Sequence, residues 1–239
     1  MQTSGSEPEF TGEFFIPGKS GERIEADHME RYRFASGFAQ GRTVLDIACG
    51  VGFSAPLFLA AGAARYVGVD LNEQLIQYAA RTYGSEKARF VAGDICTYED
   101  GERYDLVVCY ETIEHIKDYR SALGNLYHLL NTDGVLIISS PHRLITSPRA
   151  NSLTDKPSNE FHIQEFTPEE LLPELKAAGF STLEQGLYGQ RQRRRIIANR
   201  VIRRIVSLVF GNPNMTTSPQ VTPVIDKVPR YFIFVVKKN

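Results

Sequence analysis

Several residues able to do chemistry fall at the ends of apolar runs. Asp46 sits inside "VLDIACGVGFS", which passes at once into Gly50 and Gly52. Asp70 closes "RYVGVD", Asp94 follows "RFVAG", and "YDLVVCYETIEHI" ends in Glu111, Glu114 and His115. Glycines at such a turn let a ligand approach the main chain. A helix opening behind them offers free N–H groups and a positive dipole end. An acid about 20 residues further on, as Asp70 is, suits ribose hydroxyls. Asp94 could accept a hydrogen bond from an adenine amino group, and Asp46 suits a cationic amino group. Gly50 to Ala55 also satisfies G-x-G-x-x-A, the dinucleotide pattern. The turn alone therefore leaves two cofactor classes open, a nicotinamide or flavin dinucleotide and S-adenosylmethionine.

The elements that must position these residues alternate. Strands are expected at 43–48, 65–70, 88–94, 104–110, 135–140, 181–189 and 230–238. Helices are expected at 24–39, 54–63, 72–84, 119–130 and 167–180. Asn72 reads as an N-cap, and Thr167-Pro168 with Glu170 as a capping box. Alternation of this kind argues for an α/β fold, an open and mostly parallel sheet with helices on both faces. Residues 1–23 read as a flexible N-terminal arm and 24–239 as one domain. Long connections at about 141–166 and 190–229 are expected to border the ligand crevice.

Composition narrows the field. The chain has 239 residues, a net charge of -1 and 42% apolar content, values of an ordinary globular domain that does not bind nucleic acid through its overall charge. Cys49, Cys96 and Cys109 show no metal-ligand spacing, so neither a disulfide framework nor a metal site is expected. The polar, acidic start "MQTSGSEPEF" is unlike a signal peptide, and no apolar run is long enough to span a bilayer. A cytoplasmic setting is the expectation.

The set "VLDIACGVG", "YVGVDLN", "FVAGDIC", "YDLVVCYETIEHI" and "LLNTDGVLIISSP" resembles the class I S-adenosylmethionine-dependent methyltransferases, with order and spacing matching over about residues 40–141. The resemblance implies a Rossmann-like sheet of seven strands, the last antiparallel. It implies that Asp46, Ala48, Cys49, Gly50 and Gly52 border the methionine part of the cofactor, and that Asp70 and Leu71 hold the ribose. Asp94 and Ile95 would meet the adenine, while Tyr110 and Glu111 would border the methionine end. Ala48 departs from the family, which often has glycine there. Cys49 reads as small filler rather than a reactive thiol. His28 and Tyr32 would belong to a helix closing over the cofactor.

Small-molecule members similar to ubiquinone-pathway O-methyltransferases often carry a Glu-His pair at this strand end. His115 is accordingly the candidate base for an oxygen nucleophile, with His142 and His162 as acceptor contacts. The expected activity is methyl transfer from S-adenosylmethionine to a small-molecule hydroxyl of sugar, lipid-linked or natural-product type, with S-adenosylhomocysteine as product. An NAD-dependent oxidoreductase and a non-catalytic cofactor-binding module on the same fold are the alternatives. Residues 191–210 hold seven arginines and no acid. They read as a helix packed on the domain, as a membrane-surface or lipid-linked-substrate contact, or as an anionic-substrate contact.

Overall fold

Alternate residues of each strand bury themselves in two separate apolar layers. Leu45, Val107 and Phe234 join one layer, while their chain neighbours Val44, Leu106 and Ile233 join the other. A strand covered on both faces must be apolar throughout, which is why these segments read as continuous greasy runs. Asp46 lies two residues from Val44, so its side chain emerges on the face of that second layer.

This computed structural model describes residues 15–191, 204, 219–224 and 228–239. The elements run α1 (Glu22–Ser36), β1 (Thr43–Ile47), α2 (Ala55–Ala60), β2 (Arg65–Asp70), α3 (Glu73–Tyr83), β3 (Ala88–Ala92) and β4 (Tyr104–Cys109). A short 3-10 turn, Ile113–His115, precedes α4 (Tyr119–Leu129), β5 (Leu130–Pro141) and α5 (Arg143–Thr146). Then follow α6 (Pro168–Ala177), β6 (Phe180–Arg191), β7 (Gln220–Pro223) and β8 (Tyr231–Lys238). Helix α1 begins at Glu22, inside the expected arm; residues 1–14 of that arm, and nearly all of the arginine segment, lie outside the described residues.

The sheet order is β3-β2-β1-β4-β5-β8-β6-β7. Strands β1 to β5 are mutually parallel, and β8 runs antiparallel between β5 and β6. The architecture is the expected Rossmann-like one, with one correction. Among the described residues there are eight strands rather than seven, because β7 adds an antiparallel edge to β6. It is four residues long and contains proline, so its sequence carries no strand signal.

Chain direction puts the functional residues on one edge. The crossover from β1 goes one way to β2, while β4 lies on the other side, which opens a crevice beyond their carboxyl ends. The antiparallel β8 starts at that same edge, with Tyr231 opposite both Pro141 and Gln190. The 141–166 connection is tied down there. Arg143 gives a bidentate contact to Glu170 at 2.6 and 2.7 Å, and Glu170 in turn accepts from Thr167 N at 2.9 Å at the start of α6. Ile163 N and Gln164 N donate to the Glu114 carbonyl at 2.9 and 3.2 Å, which docks this connection on the turn after β4.

Directly after β1 the chain turns through Ala48 at φ 61°. This is the left-handed region that a Cβ disfavours by roughly 1–2 kcal/mol. Ala48→Gly is expected to raise stability by roughly 0.5–1 kcal/mol, the relief of strain exceeding the entropy a glycine adds to the unfolded chain. Urea unfolding of the two proteins measures it, and a destabilised variant would contradict the account.

Candidate active site

The crevice is a cleft of about 630 Å3 at the carboxyl ends of β1, β2, β4 and β5. That volume suits a drug-sized ligand. One half is built by the turn after β1, where Ala48, Cys49 and Gly50 line it together with Phe53, Asp70 and Leu71. Gly50 has φ 56° and a Cβ built there would meet nothing within 4 Å, so bare main chain faces open space. The Asp70 carboxylate holds both turns in place, accepting from Gly50 N at 2.8 Å and from Asn72 N at 2.9 Å. Gly52 serves packing instead: at φ 74°, an added Cβ would fall 2.5 Å from the Phe90 ring.

Asp46 does not line the cleft. It is fully buried beneath it and accepts hydrogen bonds from Tyr32 Oη at 3.2 Å, from Tyr66 Oη at 2.9 Å and from Ser54 Oγ. Burial pushes its carboxyl up to about 6, against the lowering effect of the three hydroxyls. Tyr32 does face the cleft, with His28 and Ile24 of α1 and with Phe15, whose ring stacks on His28. Helix α1 thus forms one wall. Arg31 on the same helix is buried, donates to Gln190 of β6 and lies over the Tyr231 ring at 4.8 Å. Gln190 donates back to the Asp27 carbonyl at 2.7 Å.

The other half is polar and titratable. Glu111 follows β4 at φ 49°, held by Ser139, whose Oγ donates to its carboxylate at 2.7 Å and accepts from its N–H at 3.1 Å. Burial raises the Glu111 carboxyl despite Arg31 and Ser139. Glu114 is fully buried, among the described residues neither carboxylate oxygen is hydrogen-bonded, and burial and the nearby Glu111 push its carboxyl well above the usual range. His115 Nδ1 lies 2.9 Å from the Phe161 carbonyl. A carbonyl only accepts, so Nδ1 carries the proton and Nε2 is the basic nitrogen of the neutral ring. The His162 ring stands edge-on at 4.8 Å; its Nδ1 bonds Glu165 at 2.6 Å and its Nε2 lies 2.8 Å from the Asn159 amide.

Of the residues singled out in the sequence, Tyr32, Ala48, Cys49, Gly50, Asp70, Leu71, Tyr110, Glu111, His115 and His162 meet in one cleft. Asp94 and Ile95 do not join its lining: Asp94 is exposed and caps its own turn through Cys96 N at 2.7 Å, and Ile95 packs into the core. His142 is buried against Phe232. Sequence reasoning missed Glu165, Arg31, Arg230 and Tyr231. Only the helical spacing of His28, Arg31, Tyr32 and Ala35 hinted that Arg31 faces inward.

A family model described as a methyltransferase domain matches residues 22–185. A probable S-adenosylmethionine-dependent methyltransferase of Mycolicibacterium smegmatis is 31% identical over 172 residues, 71% of this chain and 64% of that protein. A ubiquinone biosynthesis O-methyltransferase of Actinobacillus pleuropneumoniae is 30% identical over 114 residues, 44% of this chain and 48% of that one. The chain thus matches about half to two thirds of the length of these curated relatives. The fold matches a Listeria monocytogenes crystal structure described as a putative S-adenosylmethionine dependent methyltransferase, with TM-score 0.64 at 15% identity over 92% of this chain and 100% of that one. The chain belongs to the class I S-adenosylmethionine-dependent methyltransferase family. Membership decides between the two cofactor classes that the glycine turn left open.

Two predictions come from this geometry. Asp46 ionises near 6 when folded against 3.8 when unfolded, so the folded state holds an extra proton between those values and stability falls as pH rises through them. Asp46→Asn lacks that proton, so its stability relative to the parent should rise by roughly 2–3 kcal/mol between about pH 4 and pH 7. Urea midpoints across that range report it; a flat difference would mean an ordinary Asp46. Asp70→Ala is expected to weaken S-adenosylhomocysteine binding by about 1–3 kcal/mol, roughly 5- to 150-fold by calorimetry. Unchanged affinity would remove Asp70 from the cofactor site.

Proposed function

We propose that this methyltransferase moves a methyl group from S-adenosylmethionine to a hydroxyl oxygen of a small molecule of sugar, lipid-linked or natural-product type, in the cytoplasm. The observation that carries the reading is one cleft with two unlike halves. Bare main chain and the Asp70 carboxylate form one, and a histidine pair among carboxylates forms the other. Open space above Gly50 and a carboxylate at the end of β2 fit a ligand with a ribose and an approach to main chain. Asp70 and Leu71 would hold the ribose side, and the turn from Ala48 to Gly50, with Tyr110 and Tyr32, the methionine side. Asp94 and Ile95 remain the adenine-side candidates by resemblance alone, since neither lines the cleft.

S-adenosylmethionine supplies the electrophilic methyl group together with its own leaving group, which leaves positioning to the protein. An acceptor hydroxyl also has to lose its proton. His115 suits that task, since the Phe161 carbonyl fixes the tautomer in which Nε2 takes a proton. His162, backed by Glu165, would contact the acceptor beside it. The aromatic wall of Phe15, Tyr32 and Phe53 would keep water from the reacting atoms. The Actinobacillus relative, a ubiquinone biosynthesis O-methyltransferase, supports oxygen as the nucleophile.

The test is product formation from S-adenosylmethionine with a panel of hydroxylated acceptors. No product, with cofactor binding intact, would leave a non-catalytic module. In that assay His115→Ala is expected to lower turnover by about 100-fold or more while S-adenosylhomocysteine affinity stays within about twofold. Normal turnover would place deprotonation elsewhere.

A further inference from the structure

Three side chains at the acceptor half share a geometry that the methyl-donor fold does not require. One potential ligand atom from each of Glu114, His115 and His162 lies within 4.8 Å of the others. Glu114 is fully buried, yet among the described residues neither of its carboxylate oxygens has a hydrogen-bond partner. A buried carboxylate left in that condition costs several kcal/mol unless something compensates it. Both imidazoles carry the outer contact that ligating histidines usually make. Each uses Nδ1 on an oxygen behind it, His115 on the Phe161 carbonyl and His162 on the Glu165 carboxylate. Ligating histidines characteristically make such a contact, because it fixes the ring and leaves Nε2 toward the ion.

We propose that Glu114, His115 and His162 form a divalent metal site on the acceptor side of the cleft. Two imidazoles and one carboxylate, with coordination positions left open, suit a first-row transition ion of the Mn2+, Fe2+, Co2+ or Zn2+ kind. Glu111 and Glu165 add negative charge around the three ligands. His162 would exchange its contact with the exposed Asn159 amide for the ion. The cysteine spacing, which argued against a metal, has no bearing on this site, since no ligand is a thiol.

The inference rests on the acceptor-side reading of this cleft and deepens it. An acceptor oxygen would take an open position on the ion, which favours its deprotonated form. The proton would leave to solvent through the cleft mouth. His115 then acts as a ligand rather than a proton acceptor. Loss of turnover in His115→Ala would follow from either role, so activity cannot separate them.

Metal binding can. The full chain, stripped with a chelator, is titrated with Mn2+ and read by electron paramagnetic resonance, and with Co2+ read by its visible absorption. One ion per chain is expected. Glu114→Gln and His162→Gln should each weaken binding by about 10- to 100-fold, with S-adenosylhomocysteine affinity within about twofold of the parent as the check on folding. The absence of a stoichiometric ion while S-adenosylhomocysteine still binds would overturn the metal site and leave the methyltransferase reading standing. An ion held equally well by both variants would place it elsewhere and also overturn the proposal. Failure of S-adenosylhomocysteine to bind the parent would instead strike the cofactor reading.

Discussion

The buried carboxylate of Asp46 is the constraint around which the glycine-turn half of the cleft is arranged. A charge with no solvent contact has to be matched by donors, and here they come from three separate elements: Tyr32 of α1, Tyr66 of β2, and Ser54 at the mouth of α2. Each donor pulls its element toward the end of β1. The glycine turn is thereby set between a strand and a helix that cannot drift apart, and α1 is held across the cleft. The same matching explains the aromatic cluster, because Tyr32 and Tyr66 must bring their rings along with their hydroxyls. Phe53 and Phe58 fill the space around those rings.

The acceptor half follows the opposite rule. Its acids are buried with too few donors, so burial raises the carboxyls of Glu111 and Glu114 where the chain turns from β4 toward α4. Glu111 retains Ser139 as a partner, and Glu165 retains Thr146 and His162, but among the described residues Glu114 has no hydrogen-bond donor to either oxygen. Such a concentration of acids draws cations and cationic donors. Arg31 and Arg230 border the region from α1 and from the start of β8, and they limit how negative the cleft becomes. The two halves therefore differ in kind, one with its buried acid matched by three hydroxyls and the other with a buried acid left unmatched among the described residues.

Much of this was legible from local patterns. Of the five parallel strands, β1, β2, β4 and β5 could be read because burial makes each largely a run of apolar residues, while the edge strand β3 is only partly buried. The caps at Asn72 and Thr167 could be read because they involve neighbours in sequence. What could not be read depends on contacts between distant residues. The period of two says which face Asp46 takes, but not that three hydroxyls would cover it. Arg31 looks like any surface arginine of an amphipathic helix until Gln190, 159 residues away, closes on it. His142 and His162 flank the same connection and look alike in sequence. The β5 register carries His142 toward Phe232, whereas the docking of 163–164 on Glu114 brings His162 into the cleft. Ala48, a departure from the usual glycine, keeps the glycine conformation all the same.

The place of β8 has a consequence for how the molecule comes into being. It is inserted between β5 and β6, so the sheet cannot close until residues 231–238 have left the ribosome. Strands β1 to β4, with the glycine turn, emerge far earlier and can pair as they appear. Tyr231, on which the Arg31 guanidinium rests, comes late. Helix α1 thus leaves the ribosome before β1 to β8 and is among the last elements to find all its partners. A nascent chain would own its glycine turn well before it owns a finished cavity, and completion of the cleft becomes an event of late folding.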